Sequence, residues 1–348
     1  MAAIGFPSWA RRMAAAAACL AMGACVSYPP APTAAMAPRL ETDSIKSIDG
    51  ATLPLTTWSA PSPRAIILAV HGMNDYANAF DDAGRYWAER DGITTYAYDQ
   101  RGFGRAPDRG FWPGAETMKA DLRAAATAIR RRHPYAPLFV LGHSMGGAVA
   151  LAALNDGGLP VDGVVLAAPA VWGGSQIPAF YRLTLNLAAG LAPGKTLTGE
   201  RAKRQASDNI DVLRAMGRDP LMIRETRLDA ALGVVRLMGE AYGASDDVGG
   251  RILVLIGERD EIIPPKALKA AAGRLCDGPD VRVYPDGWHL LLRDLQREAV
   301  WRDVADWVTM PAKAQGARIA APPGPCADNA PPRLAERPPG RKSDPTGR

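Results

Sequence analysis

The stretch Gly142-His143-Ser144-Met145-Gly146 constrains this chain more than any other. It follows the apolar run Leu138–Leu141 and opens onto the alanine-rich segment Ala148–Leu154, which reads as a helix. A strand that turns sharply into a helix through Gly-x-Ser-x-Gly is a nucleophile elbow. Such a turn strains the backbone of the serine, and Gly142 and Gly146 lack the Cβ atoms that would collide there. The Ser144 hydroxyl is then held above the sheet edge. Backbone N–H groups at the helix start face the place where negative charge would develop.

The surrounding pattern supports a strand-to-helix setting. Asp49-Gly50 is a hairpin signal between 45–48 and 53–58. Ala65–Val70 is continuously apolar, as a strand covered on both faces should be. Helices are expected over 78–90 and 116–133, the latter stopped by Pro134, with strands at Ile93–Tyr98 and Val161–Leu166. Alternation resumes with the strand Arg251–Ile256, a helix at 265–275, the strand Val281–Tyr284 and a helix at 290–308. This is the signature of an α/β fold with a mostly parallel, twisted sheet flanked by helices. Active sites in such sheets lie at the carboxyl ends of the strands. Residues 42–170 and 249–310 form this core. Residues 171–248 break the pattern, being helical in tone and without a clear strand, and read as a lid inserted after the sixth strand.

A chain of 348 residues, 47% hydrophobic, can bury a sizeable core. Its formal charge of +5 resides at its ends, in Arg11-Arg12 and in 311–348, where seven basic residues face three acidic ones. The body is close to neutral, which gives no support to nucleic-acid binding. Residues 1–24 read as an export signal, because the apolar run 13–24 is too short to span a bilayer. Leu20-Ala-Met-Gly-Ala-Cys25 resembles a bacterial lipobox, which would make Cys25 the lipidated first residue of the mature chain. The alternative is an ordinary signal peptide cleaved nearby. Residues 25–41 then read as a Pro/Ala-rich tether holding a catalytic body off a membrane. The implied location is the bacterial cell envelope, facing the periplasm or the cell surface. Cys276 and Cys326 are left as a disulfide candidate in a compartment that permits one, with two free thiols the alternative. The Pro-rich tail, 311–348, has too few large apolar side chains for a core and reads as disordered.

A serine hydroxyl attacks only when a base takes its proton and a third group orients that base. Of the four histidines, His143 lies inside the elbow, His133 ends a helix and His71 closes a strand. His289, in Gly287-Trp288-His289, follows the last core strand and returns to the edge that carries Ser144. The acid should leave the preceding strand, where Gly257-Glu-Arg-Asp260 follows Ile256. Asp260 is favoured, with Glu258, Glu261 and Asp286 as rival carboxylates. The order Ser144, Asp260, His289 is the one this strand–helix scheme requires. Two N–H donors are needed for an oxyanion, and Met145 and Met73 are the candidates, the latter in the loop His71-Gly72-Met73. The histidines lack metal-ligand spacing, and no cofactor is implied.

His71-Gly72-Met73, Tyr98-Asp99-Gln100-Arg101-Gly102-Phe103-Gly104, Gly142-His-Ser-Met-Gly146, Gly257-Glu-Arg-Asp260 and Gly287-Trp-His289 stand in the order of the α/β-hydrolase superfamily. The set most resembles its monoacylglycerol lipase/lysophospholipase group, over about 42–310. The resemblance implies a cofactor-free serine hydrolase acting on small ester or lipid substrates through an acyl-enzyme. It also implies that Asp99, Arg101 and Gly104 are structural. The same triad serves prolyl-type aminopeptidases and acyltransferases. A peptidase would need a carboxylate for a free amine, and Glu225 or Glu240 of the lid could provide one. A non-catalytic surface lipoprotein is the reading from a different class.

Overall fold

The computed structural model describes residues 26–173, 176–198 and 204–310, together with the backbone of 333–336. The proposed signal, Cys25, Cys326 and most of the tail lie outside the described residues.

The chain builds strands β1 (Arg39–Leu40), β2 (Ser44–Lys46), β3 (Thr52–Trp58), β4 (Ala65–Val70), β5 (Ile93–Tyr98), β6 (Leu138–His143) and β7 (Gly163–Ala167). These are followed by β8 (Thr196–Thr198), β9 (Glu225–Arg227), β10 (Ile252–Gly257), β11 (Asp280–Tyr284) and β12 (Arg333–Glu336). Helices are α1 (Asp81–Tyr86), α2 (Ala115–Arg132), α3 (Met145–Asn155), α4 (Ala179–Leu191), α5 (Ile210–Arg218), α6 (Leu228–Ala244), α7 (Pro265–Ala272) and α8 (Arg297–Thr309).

The main sheet runs in the order β1-β2-β3-β5-β4-β6-β7-β10-β11-β12. The first three strands are antiparallel, β3 lying antiparallel to β5, and the remainder are parallel. Alternation along β4 shows why its sequence is apolar throughout. Ile66, Leu68 and Val70 face a core built with α2, α3, α6 and α7. Ala65, Ile67 and Ala69 face the opposite layer, where α8 contributes Trp301 and Val304. Crossovers that lay helices on both faces leave no wet side, so period-two patterning disappears. The sheet is therefore an α/β-hydrolase scaffold with β6 central, and β4, β6, β10 and β11 all end at the same edge.

Several expectations differ from the structure. The tether does not stand away from the body. Tyr28 Oη donates to the Asp229 carbonyl at 2.7 Å, and the Tyr28 ring meets Trp112 edge-on. Val26 packs with Ala189, Leu228 and Leu232, so two apolar side chains hold a Pro-rich strap against the lid. Arg39–Leu40 already belongs to the sheet, which makes the strand before the lid the seventh. The lid also contains strands, the antiparallel pair β8–β9. Each has three residues, too few for a readable period. Arg333–Glu336, inside the tail expected to be disordered, pairs parallel with β11. Main-chain pairing along the open side of β11 needs no side-chain pattern. Residues 78–90 divide into a 3-10 turn, α1 and a wider turn instead of forming one helix. The last helix starts at Arg297 rather than 290. Cys276 is disulfide-bonded, while its expected partner Cys326 is not among the described residues.

Candidate active site

The elbow is built from backbone contact. Ser144 has φ 51° and ψ −116°, in the left-handed region that a serine occupies only under constraint. That constraint is visible: Ser144 N–H donates to the Ala167 carbonyl at 3.0 Å, and its own carbonyl accepts from Ala170 N at 2.9 Å. Both ties are to β7 and the turn after it. A Cβ on Gly146 would fall 2.1 Å from the Val70 carbonyl oxygen, and one on Gly142 would fall 2.6 Å from that of Gly146. Strand and helix thus cross backbone to backbone, and only glycine allows it.

His289 is brought to this serine by the loop after β11. Its Nε2 lies 2.9 Å from Ser144 Oγ and its Nδ1 lies 2.8 Å from Asp260 Oδ2. All three residues are buried. Asp260 Oδ1 accepts two backbone N–H groups, from Ile262 and Ile263, each at 2.8 Å. Those donors take the place of water around the buried carboxylate. The rivals are engaged elsewhere. Glu258 accepts from Lys269 at 2.5 Å, Asp286 from Arg259 at 2.5 Å, and Glu261 from Gln205 N at 2.7 Å.

Gly72 passes directly beside the nucleophile, since a Cβ there would sit 3.2 Å from Ser144 Cβ. Met73 follows it at the same edge and is partly buried. Met145 is the first residue of α3, where an N–H has no acceptor within its own helix. The two candidate oxyanion donors therefore flank Ser144 on different segments. His71 braces the Met73 loop: its Nε2 accepts from Gln100 N at 3.0 Å, and its Nδ1 donates to the Gly72 carbonyl at 2.8 Å. Burial pushes its pKa down, which agrees with the neutral ring this bonding requires. Asp99 accepts from Ala77 N and Arg105 N, and Arg101 bridges Asp49 and Asp121, so this segment shapes the loop beside the site.

Five residues outside the sequence-derived site support it. His143 Nε2 donates to the His289 carbonyl at 3.1 Å, with the two rings 5.2 Å apart. Burial lowers its pKa to about 3, so the ring is a neutral prop under His289. Asp294, also buried, accepts from Trp288 N at 2.7 Å and from Ser207 Oγ of the lid at 2.5 Å. Asn74 donates to Thr226 Oγ1 of the lid at 2.7 Å. A buried Asp or Ser has no periodic signature, and these partners are 87 and 152 residues apart. His133 is distant from the site, its Nε2 lying 2.9 Å from the Tyr96 hydroxyl.

Among the described residues, one carboxylate group could converge on a cation: Glu116, Asp156 and Glu240. The Lys119 ammonium already occupies its centre, 2.7 Å from both glutamates and paired with Asp156. This network joins α2, α3 and α6.

The sheet order, the elbow and the acid–base pair on the following strands define an α/β-hydrolase. Residues 61–296 match the Hydrolase_4 family, described as serine aminopeptidase, S33, and the chain belongs to that family. It is similar to the monoacylglycerol lipase of Mycolicibacterium smegmatis, 24% identical over 273 residues, which cover 76% of this chain and 95% of that protein. It is likewise similar to mouse monoglyceride lipase, 25% identical over 278 residues, covering 77% and 90% of the two chains. The crystal structure of the Paleococcus ferrophilus monoacylglycerol lipase has the same fold, with a TM-score of 0.61 at 21% identity over 74% of this chain and 98% of that one.

Proposed function

We propose that this protein is a serine hydrolase that cleaves carboxylic esters of monoacyl lipids, monoacylglycerols or lysophospholipids, through an acyl-enzyme on Ser144. The observation that carries the reading is the buried imidazole of His289, within hydrogen-bond reach of Ser144 Oγ on one side and Asp260 on the other. Asp260 holds the proton on Nδ1, which leaves Nε2 free to accept from Ser144 Oγ–H. As Oγ bonds to the ester carbonyl carbon, its proton passes to Nε2 and the carbonyl oxygen becomes an oxyanion. The N–H groups of Met73 and Met145 receive it, each such donor contributing about 2.7–4 kcal/mol. Imidazolium then gives its proton to the departing alcohol as the ester bond breaks. Water, deprotonated by the same Nε2, releases the fatty acid and restores Ser144.

The lipases among its relatives support a monoacyl-lipid substrate. The family description favours a peptidase instead. Neither lid glutamate is placed for that role: Glu240 is bound to Lys119, and Glu225 accepts from Thr196 on the exposed hairpin at 2.7 Å. Activity on p-nitrophenyl esters and none on aminoacyl-p-nitroanilides is expected. Ser144→Ala should lower ester cleavage by roughly 10⁴-fold or more. Cleavage at the wild-type rate in that variant refutes the mechanism. We also propose that 1–24 is removed on export and that Cys25 carries a lipid, placing the enzyme in the cell envelope. Mass analysis of the N-terminal peptide tests this.

A further inference from the structure

Asn74 follows Met73, the oxyanion donor of the proposed mechanism, and is held from outside its own loop. It has φ 64°, in the left-handed region that asparagine tolerates better than most residues. The lid segment that ends in β9 grips it twice. Asn74 Nδ2 donates to Thr226 Oγ1 at 2.7 Å, and the Asn74 carbonyl accepts from Ile223 N at 3.1 Å. The hairpin behind that grip is only β8 paired with β9, and a lone two-stranded pair is marginally stable in water. It needs a brace of its own.

The brace is found where β9 runs into α6. Arg227 makes two bonds to Asp229, at 3.0 and 2.6 Å, and its guanidinium lies 4.3 Å from the centroid of the Phe111 ring. The Asp229 carbonyl accepts from Tyr28 Oη at 2.7 Å. Burial raises the Tyr28 pKa to about 12, so the hydroxyl keeps the proton it donates. The Tyr28 ring also meets Trp112, the neighbour of Phe111, with centroids 6.4 Å apart. Val26 packs against the cluster of Ala189, Leu228 and Leu232, and its carbonyl accepts from Arg236 Nη1 at 3.1 Å.

The other end of this strap is tied to the sheet. Ala35 N and Met36 N both donate to the Ile48 carbonyl, at 2.7 and 2.9 Å, in the turn between β2 and β3. Between the two ends, Pro29, Pro30 and Pro32 fix their φ angles, so the strap is stiff. It lies close against the core, since a Cβ on Gly114 would fall 3.0 Å from the Pro29 carbonyl oxygen. A stiff strut thus joins the sheet to the hairpin that grips Asn74.

We propose that the strap, residues 26–36, braces the oxyanion hole, with Tyr28 a positioning residue that acts on Met73 through Asp229, Thr226 and Asn74. This role rests on the hydrolase reading of Ser144. Its kinetic signature is specific. The Met73 N–H matters most once the carbonyl oxygen carries negative charge, so slack in its loop costs transition-state binding and spares ground-state binding.

The test is Tyr28→Phe in the full chain, with p-nitrophenyl butyrate as substrate. We expect kcat to fall about five-fold or more at unchanged KM. Affinity for an alkyl trifluoromethyl ketone, whose adduct with Ser144 places an oxyanion in the hole, should fall in the same proportion. Thr226→Val breaks the same route further on, so the double variant should be no slower than the slower single one. A tyrosine that merely stabilised the lid would lower the melting temperature and leave kcat and ketone affinity unchanged. That result overturns the proposal, as does a rise in KM at constant kcat, or a double variant in which the two losses multiply. Hydrogen exchange supplies a readout that needs no turnover. Amides of 73–75 should exchange faster in Tyr28→Phe than in wild type, and equal rates overturn the brace. Should the wild type cleave no ester and form no ketone adduct, the hydrolase reading fails, and exchange at 73–75 alone decides whether the strap holds this loop.

Discussion

Asp294 offers a sharp physical test of how the histidine loop is held. Its carboxylate is fully buried and accepts from Trp288 N, next to His289, and from Ser207 Oγ. Burial raises its pKa from the ordinary 3.8 to about 6, against the lowering effect of those two bonds. The folded protein therefore binds more protons than the unfolded chain between these values, and stability falls as pH rises through that window. The whole shift corresponds to about 3 kcal/mol. Asp294→Asn keeps the shape and a carbonyl oxygen for Trp288 N–H but never ionises. Its stability relative to wild type should climb by ~1.5 kcal/mol between pH 5 and pH 8. In a domain of this size that is a relative gain of roughly 3–6 °C in melting temperature. Paired thermal melts of the two proteins at both pH values measure it. A stability difference that does not vary with pH, or that shrinks as pH rises, refutes the argument.

Two further outcomes follow from the same geometry. In Asp260→Asn the amide oxygen should stay on Ile262 and Ile263 N–H, which turns the NH₂ toward His289 Nδ1. That forces the proton onto Nε2, so kcat should drop about 10⁴-fold while the melting temperature changes little; normal turnover would remove Asp260 from the triad. The pKa of His143 is depressed from 6.5 to about 3, so its contribution is intact above 6.5 and is lost as pH falls toward 3. His143→Gln should therefore be less acid-sensitive than wild type by about 2 kcal/mol between pH 7 and pH 5, read by urea unfolding, and an unchanged acid slope contradicts the buried neutral ring.

The site was legible where backbone forces a residue type, and illegible where a side chain reaches across the fold. Gly142 and Gly146 are forced by a strand and helix crossing within van der Waals distance, so the elbow announces itself. Asp260 and His289 follow strands that end beside Ser144, and counting strands was enough to find them. The start of the last helix was missed for a specific reason. Leu290 N donates to the Ala206 carbonyl at 2.9 Å, Leu295 N to Asp208 at 2.9 Å, and the Arg293 carbonyl accepts from Asn209 at 2.9 Å. The Leu295 N–H and the Arg293 carbonyl, which a helix over 290–296 would use, are spent on the lid. Local periodicity cannot register a partner more than eighty residues away. The Pro-rich strap misled for the opposite reason: composition described its stiffness, while Val26 and Tyr28 decided where it lies.

The same contacts explain why the lid carries no readable motif although it touches both arms of the chemistry. One arm is the loop holding Met73, where Ile223 N donates to the Asn74 carbonyl at 3.1 Å. The other is the His289 loop, joined through Ala206 and Leu290. Both ties run main chain to main chain, so they hold whatever the side chains at Ile223, Ala206 and Leu290 are. Apart from Ser207, Asn209 and Thr226, whose side chains also bind these loops, the lid's side chains are then free to serve what lies outside. The geometry of attack and the choice of ester thus rest largely on different atoms of the same segments. A lid of another sequence should leave the triad undisturbed provided that its backbone meets Asn74 and Leu290 at the same two points and that it keeps Ser207, Asn209 and Thr226 for Asp294, Arg293 and Asn74.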